Sequence, residues 1–345
     1  MTITEEMDSY DEINELPDEL IISIFKLLPL ESLLDCEKVC QRWRKLVRDT
    51  TLWKFIVMVY SGKPGQSKIS NRNLEIIKTH SELIHCLKMQ YVYNYSFIKS
   101  ILENCDNLTS LELVMCRIGK EFECDITKWP NLKKLNLKNS LLLNNMNLEI
   151  PYDQFKYLKY LALSDFGLTA TNCYALLHCN YLSNILIEKI KDLNLSYVKE
   201  LICSKQNILE TLHIYGGDAI DDHCLHLLSQ CHQLKDLAVI RCENLKDEGL
   251  VALADLQQIQ HLQIWNNRNF TELNLLRTLS SSNLVKLQSL SLSRIENVSP
   301  VIVDLISEHY KNLKFLAVYQ CPSIVNTDYE KQLKSKFRNI DVVLY

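Results

Sequence analysis

A short apolar pattern that returns every 24 to 28 residues constrains this chain more than any other feature. The stretch "LTSLELVMCRI", starting at Leu108, reads L-x-x-L-x-L-x-x-C-x-I, and related copies start at Leu132, Leu158, Leu182, Leu209, Leu234, Ile259, Leu287 and Leu313. A weaker copy, "IHCLKMQYV", starts at Ile84, and "FRNIDVVLY" from Phe337 closes the sequence. Within each copy the apolar residues alternate, which predicts a strand with one buried face. Segments such as "DEGLVALADL" then supply helical spacing. One such unit cannot cover its own leucines, so neighbouring units must stack and share a continuous core.

Period and pattern together resemble the leucine-rich repeat over residues 84–345. The resemblance implies an α/β solenoid over residues 83–345: a curved horseshoe of about ten repeats plus a terminal strand, with parallel strands on its concave face. The repeat also absorbs many of the 13 cysteines. Cys116, Cys242 and Cys321 fall eight residues after a repeat start, and Cys105, Cys179 and Cys231 fall three before one, so all six are expected to be small buried hydrophobes. His223, Cys224, His226, Cys231 and His232 are ligating residue types, but their spacing fits no standard zinc pattern, and Cys224 aligns with Gly249 of the next unit. No metal and no cofactor is expected.

Residues 16–56 contain no copy of the repeat. Leu20, Ile24, Leu27 and Leu28 have helical spacing, Pro17 suits the start of that helix and Pro29 its end. A second helix is expected through Leu33, Cys36, Val39 and Cys40, and a third through Trp43, Leu46 and Val47. On this reading "DCEKVCQRW" (35–43) carries Cys36 and Cys40 one turn apart, Trp43 continues the apolar face, and Arg42 and Arg44 point to solvent. A segment of about 40 residues rarely sustains a core alone, so it either caps the open end of the solenoid or docks on a partner.

The order Leu16-Pro17-x-Glu19-Leu20, Ile24-Phe25-x-x-Leu28, Val39-Cys40-x-x-Trp43 and Leu52-Trp53 resembles an F-box from end to end. That resemblance implies a small all-α, three-helix module over residues 13–57 that docks on the Skp-type adaptor of Skp-cullin-F-box ubiquitin ligases, and through it on cullin and RING subunits. Leu16, Pro17, Leu20, Ile24, Phe25, Leu28, Val39, Cys40, Trp43, Leu52 and Trp53 match its adaptor-contacting and core pattern, with Phe25, Trp43 and Trp53 as the expected aromatic anchors. Residues 1–12 read as an acidic disordered tail. Residues 58–82 read as a linker, "SGKPGQSKISNRN", followed by a connecting helix, "LEIIKTHSEL".

Counting from each repeat start, positions 3, 5, 7 and 8 face out of the strand surface. In the later repeats these positions hold Tyr215, Ile240, Arg241, His261, Trp265, Arg294, Phe315 and Tyr319, with His213 beside them. An aromatic strip carrying arginine is expected to bind a protein substrate.

Bulk properties narrow the alternatives. The first 20 residues hold eight acids and no base, which leaves 34 acids against 38 bases in the remainder, far from the clustered excess of a nucleic-acid binder. No apolar run approaches the roughly 18 residues of a membrane span, and the start lacks signal-peptide character, so a cytoplasmic or nuclear location without disulfides is expected. The sequons at Asn94, Asn107, Asn194, Asn269 and Asn297 then read as chance. Phosphate-loop, nucleophile-elbow and zinc-protease motifs are absent from the sequence. The expected role is a non-catalytic substrate-recognition subunit, with an interaction scaffold capped by the F-box as the alternative.

Overall fold

The computed structural model describes residues 12–63, 67–143, 148–190, 193–215, 219–242, 244–337 and 340–343. Residues 1–11 of the acidic tail and the terminal pair 344–345 lie outside the described residues, and Glu12 begins a 3-10 turn, Glu12–Glu15.

The chain opens with four short helices, α1 (Asp18–Phe25), α2 (Leu30–Val39), α3 (Gln41–Val47) and α4 (Thr50–Trp53). It then runs into strand β1 (Val57–Ser61) and helix α5 (Ser67–Thr79). The strands that follow are β2 (Cys86–Gln90), β3 (Ser110–Val114), β4 (Arg117–Ile118), β5 (Lys134–Asn136), β6 (Leu141–Leu142), β7 (Tyr160–Ser164) and β8 (Asn184–Glu188). The later repeats supply β9 (Thr211–Tyr215), β10 (Asp236–Ile240), β11 (His261–Trp265), β12 (Ser289–Ser293), β13 (Phe315–Ala317) and β14 (Asp341–Val343). On the outer side run α6 (Tyr95–Leu102), α7 (Phe122–Asp125), α8 (Leu195–Lys205), α9 (Asp222–Ser229), α10 (Asp247–Ala252), α11 (Glu272–Leu279), α12 (Pro300–His309) and α13 (Asp328–Lys336), with 3-10 turns in several repeats.

Among the described residues, twelve strands form one parallel sheet in strict chain order, with only β4 and β6 pairing separately. Position 4 of one repeat sits opposite position 4 of the next, as in Leu212 to Leu237 to Leu262 to Leu290. Positions 1, 4 and 6 are therefore stacked columns of Leu, Ile and Val, and in the repeat from Leu234 they are 0–2 % exposed. Each such residue buried contributes about 1.5–3 kcal/mol. This is the horseshoe of leucine-rich repeats that the periodicity implies.

The eighth position has a consequence that the pattern alone does not show. Tyr91, Met115, Asn139, Asp165, Lys189, Arg241, Asn266, Arg294 and Gln320 all have φ between 50° and 65°. A left-handed residue ends each strand and turns the chain outward, while its N–H still donates to the next repeat, as Arg241 N–H does to Trp265 O at 3.0 Å.

Two boundaries differ from the sequence reading. The sheet begins one strand earlier, because Val57–Ser61 pairs in parallel with Cys86–Gln90. Helix α5 begins at Ser67, so "SKISNRN" is helical and the linker is short. The connecting helix expected over "LEIIKTHSEL" is present, with Ile76 and Ile77 8 and 1 % exposed, and the polar composition of "SKISNRN" hid only its first turns.

Of the five sequon asparagines, two cap helices and three tie a repeat to the one before it. Asn94 and Asn194 cap α6 and α8 through Oδ1. The Nδ2 groups of Asn107, Asn269 and Asn297 donate to Glu82 O, Leu245 O and Phe270 O in the preceding repeat, at 2.7, 3.1 and 2.7 Å.

Candidate docking and recognition surfaces

Helix α1 is apolar on two faces. Ile21 and Phe25 turn inward and are 0 and 2 % exposed, whereas Leu20 and Ile24, continued by Leu27 in the turn just after the helix, face outward at 51, 38 and 84 %. A helix apolar all round is normally buried on both sides. Here, among the described residues, the second side has no cover, and Pro17 and Val39 are exposed as well.

The turn into α3 sets where those residues sit. Cys40 is extended, φ −153° and ψ 171°, so the helix through Cys36 breaks there instead of carrying Cys40 on the same stripe. The Cys40 Sγ accepts from Trp43 N–H at 3.4 Å and caps α3. Arg42 does not point to solvent. It donates from Nε and Nη2 to Asp18 Oδ1 at 3.0 and 2.6 Å, from Nη2 to Leu16 O at 2.7 Å, and from Nη1 to Asn14 O. Trp43 donates from Nε1 to Asn14 Oδ1 at 2.9 Å and meets Phe25 edge-on with ring centroids 5.2 Å apart. These bonds bring Val39 and Cys40 to the end of the module that carries Leu16 and Pro17.

Of the remaining expected contact residues, Leu28 is half-buried against the core and three lie inside. Phe25, Leu52 and Trp53 are 2, 7 and 1 % exposed, so Phe25 and Trp53 are core groups and not interface anchors. The reason is the second neighbour of the module. Trp53 donates from Nε1 to Val47 O at 2.8 Å and stacks on His80, centroids 5.0 Å apart and planes 18° from parallel. His80 is hydrogen-bonded through Nε2 to Glu37 Oε2 at 3.0 Å and through Nδ1 to Thr79 Oγ1 at 2.7 Å. Arg48 pairs with both Glu37 and Glu82, tying α2 and α3 to the start of the repeats. One face of the module thus seals the solenoid while α1 and the 39–43 turn face away from that joint. Leu27 is the outward residue that motif matching omitted, although a second apolar stripe at 20, 24 and 27 was visible in the spacing.

The concave face divides in two. In its first half, charges pair across strands: Lys134 with Glu112 at 2.6 Å and Lys138 with Glu188 at 2.8 Å. Glu188 also accepts from Ser164 Oγ at 2.9 Å, and the Lys138 ammonium lies 5.4 Å from the centre of the Tyr215 ring. Burial pushes the Tyr215 phenol above its ordinary value. In the second half, Asp236 Oδ1 is hydrogen-bonded to His213 Nε2 at 2.9 Å. Trp265 is 37 % exposed and donates to Ser291 Oγ. Arg294 lies over Tyr319 at 5.7 Å and donates to Gln320 Oε1 at 2.7 Å. Arg241 is exposed, while His261 and Phe315 are half-buried. Ile240 is 5 % exposed and so offers little surface, a departure from its expected place in the strip.

The repeat cysteines are structural. Cys116 and Cys321, 1 and 0 % exposed, donate from Sγ to Met89 O and Leu292 O of the preceding repeat at 3.5 and 2.9 Å. Burial pushes the thiols of Cys105, Cys224 and Cys231 up to about 12 and those of Cys116 and Cys179 to about 11. At the position equivalent to Cys224, a Cβ on Gly249 would lie 2.8 Å from Asp222 Cα, so that column selects small residues for helix packing. Among the described residues, no three His, Cys, Asp or Glu side chains gather as metal ligands, and no helix is long and apolar enough to cross a membrane.

Known proteins place these features. The F-box-like family model matches residues 13–58. Human F-box/LRR-repeat protein 12 is 37% identical over 51 residues, 14% of this chain and 16% of that protein. The F-box protein dre-1 of Caenorhabditis elegans is 42% identical over 50 residues, 14% of this chain and 5% of that protein. A putative F-box/FBD/LRR-repeat protein of Arabidopsis thaliana is 22% identical over 279 residues, 73% of this chain and 64% of that one. The match therefore spans less than two thirds of each of these relatives. Among solved structures, a chain of the yeast Rad7 and Elc1 complex superposes with a TM-score of 0.56 at 17% identity, covering 96% of this chain and 94% of that one. An F-box-like domain at the N-terminus and a leucine-rich-repeat solenoid behind it make this chain a relative of the F-box/LRR-repeat proteins.

Proposed function

We propose that the chain is the substrate-recognition subunit of a Skp-cullin-F-box ubiquitin ligase. The F-box-like module docks on a Skp-type adaptor, and through it on cullin and RING subunits, while the concave face holds a target protein. The observation that carries this reading is the uncovered apolar stripe of Leu20, Ile24 and Leu27 on a module matching the F-box-like family. Burying several such side chains offsets the cost of association. The yeast structural neighbour was itself solved as a complex with Elc1.

Catalysis comes from the partners. A nucleophilic cysteine needs a thiolate, and burial holds five of the thiols protonated at neutral pH. The chain acts by proximity, raising the local concentration of target lysines near a ubiquitin-loaded enzyme, in the cytoplasm, the nucleus or both. The scaffold alternative, in which the module only caps the solenoid, accounts for Trp53 and His80 but leaves the outer stripe of α1 without a role.

Co-purification tests this. Wild-type chain should retain a Skp-type adaptor, and a Leu16→Ala, Pro17→Ala variant should lose most of it with the repeats still folded. A wild-type chain that retains no such adaptor would leave the capped scaffold as the better account.

A further inference from the structure

Resting on the reading of the concave face as the target-binding surface, we propose that its second half selects an uncharged, unphosphorylated segment of the target. One large apolar side chain of that segment anchors it by packing on the open face of the Trp265 indole.

Three rings stand in one row across the sheet. Tyr215, Ile240, Trp265 and Ser293 are successive cross-strand partners on β9 to β12. Tyr319 continues the row, two residues after Ala317, the partner of Ser291. The two outer rings are covered by cations of the chain itself: the Lys138 ammonium lies 5.4 Å from the Tyr215 centroid and the Arg294 guanidinium 5.7 Å from that of Tyr319. Among the described residues, no other ring and no cation lies on Trp265, which is 37 % exposed. Its Nε1 donates to Ser291 Oγ, so the indole leans onto β12, where Ser291 and Ser293 are 2 and 1 % exposed. That bond uses the one donor an indole has, and the exposed ring face makes no polar demand on a partner.

Electrostatics select what can sit there. The face of an aromatic ring is the negative part of its quadrupole, which repels a carboxylate or a phosphate set on it. A target cation would suit the ring but would stand between Arg241 and Arg294, which follow the row partners of Trp265 on either side. An apolar side chain meets neither obstacle. Charge over the wider surface favours no sign either: apart from two histidines, the described outward charges of β9 to β14 are Asp236, Arg241, Arg294 and Asp341, two of each sign. The first half of the face differs on both counts. Lys134 and Lys138 pair there with Glu112 and Glu188 at 2.6 and 2.8 Å, and the Tyr160 ring carries the Lys134 ammonium at 5.0 Å.

The test is selection from a random-peptide phage library on the purified full-length chain, after depletion on the Trp265→Ala chain. Enriched peptides should share one Leu, Ile, Met, Phe or Trp and no common charge. Made synthetically and labelled for fluorescence anisotropy, such a peptide should bind about tenfold or more weakly when that residue becomes Ala, and by a similar factor in Trp265→Ala. Trp265→Phe, which keeps a ring face, should retain most of the binding. Tyr157→Ala, at a ring 45 % exposed outside the strands, should retain all of it. Raising salt from about 0.1 to about 0.5 M should change the affinity by less than about twofold. Thermal melts confirm that each variant is folded. The proposal is overturned by a library that yields no enriched peptide, by a shared charged consensus, or by tighter binding of a phosphoserine version. Wild-type binding by Trp265→Ala, a loss in Trp265→Phe as complete as in Trp265→Ala, or a tenfold loss in high salt would overturn it too. Adaptor retention by the same preparations reports on the receptor reading separately, so the two can fail independently.

Discussion

The F-box-like module and the solenoid dispose of their apolar residues in opposite ways. In the solenoid, strand alternation sends Leu237 and Val239 inward, and the exposed apolar side chains on its outer side, such as Leu273, Val285 and Val301, come one to an element. In the module, one helix of eight residues carries two apolar stripes and buries only one of them. Helix caps are shared between the two regions. Asn94, Asn194, Asp221 and Thr271 cap α6, α8, α9 and α11 with side-chain oxygens, and in the module Cys40 and Asp49 cap α3 and α4, whereas Pro17 and Pro29 stand at the starts of α1 and α2 and offer no side-chain bond. The repeats therefore cover one another within the solenoid, while α1 of the module keeps an apolar stripe exposed.

Removing the shared contact should have the largest effect on stability. Trp53→Ala leaves a void between the module and the solenoid and unpairs the stacking face of His80, costing about 3–5 kcal/mol. Chemical denaturation should then show the module unfolding before the repeats, and adaptor binding lost with it. His80→Ala removes the ring that bridges Glu37 and Thr79 and leaves Glu37 without one of its partners, at a cost of about 1–3 kcal/mol. Hydrogen exchange should rise in α2, α4 and β1 and stay unchanged beyond β8.

A smaller effect is expected within the solenoid. Asp221 accepts from Cys224 N–H at 2.9 Å and pairs with Lys199 at 2.8 Å. Burial pushes its carboxyl up, but the bonds from Lys199 and Cys224 outweigh this and hold it below its ordinary value. A lowered folded value means stability that is present above the unfolded value near pH 4 and lost as pH falls through the folded one. Asp221→Ala should cost about 1 kcal/mol at neutral pH and progressively less in acid, as read from melts across that range. The smallest change concerns chemistry alone. Iodoacetamide at neutral pH should label the exposed Cys124 and Cys203 and spare Cys105, Cys224 and Cys231, as mass spectrometry would report.

The repeats were legible because their signal is periodic: a leucine column every 24 to 28 residues defines strand, face and register together. The burial of Cys116 and Cys321 followed from their place in that period. The module was legible as a motif but not as a surface. Its pattern mixes residues that hold three short helices together with residues that face outward, and Phe25 and Leu20 look alike in sequence though one is 2 % exposed and the other 51 %. Cys40 and Arg42 were misread for a related reason. Helical spacing across residues 36–43 does not reveal that Cys40 is extended, and the partners of Arg42 lie 24 to 28 residues away in sequence. The left-handed eighth position was equally hidden, because the nine described residues in that column have seven identities, none of them glycine, and Gly216 of the repeat from Leu209 is a lone glycine in the sequence.

The central claim is that the outer stripe of α1 serves a partner and not the fold. Calorimetric titration of a Skp-type adaptor into wild-type chain and into a Leu20→Asp, Ile24→Asp, Leu27→Asp variant tests it directly, with thermal melts recorded on both. The binding heat should vanish in the variant while its melting midpoint stays within the small range expected of surface substitutions, about 0.5 kcal/mol per site. Adaptor binding of wild-type strength by the variant, or a collapse of its melting midpoint, would contradict the claim.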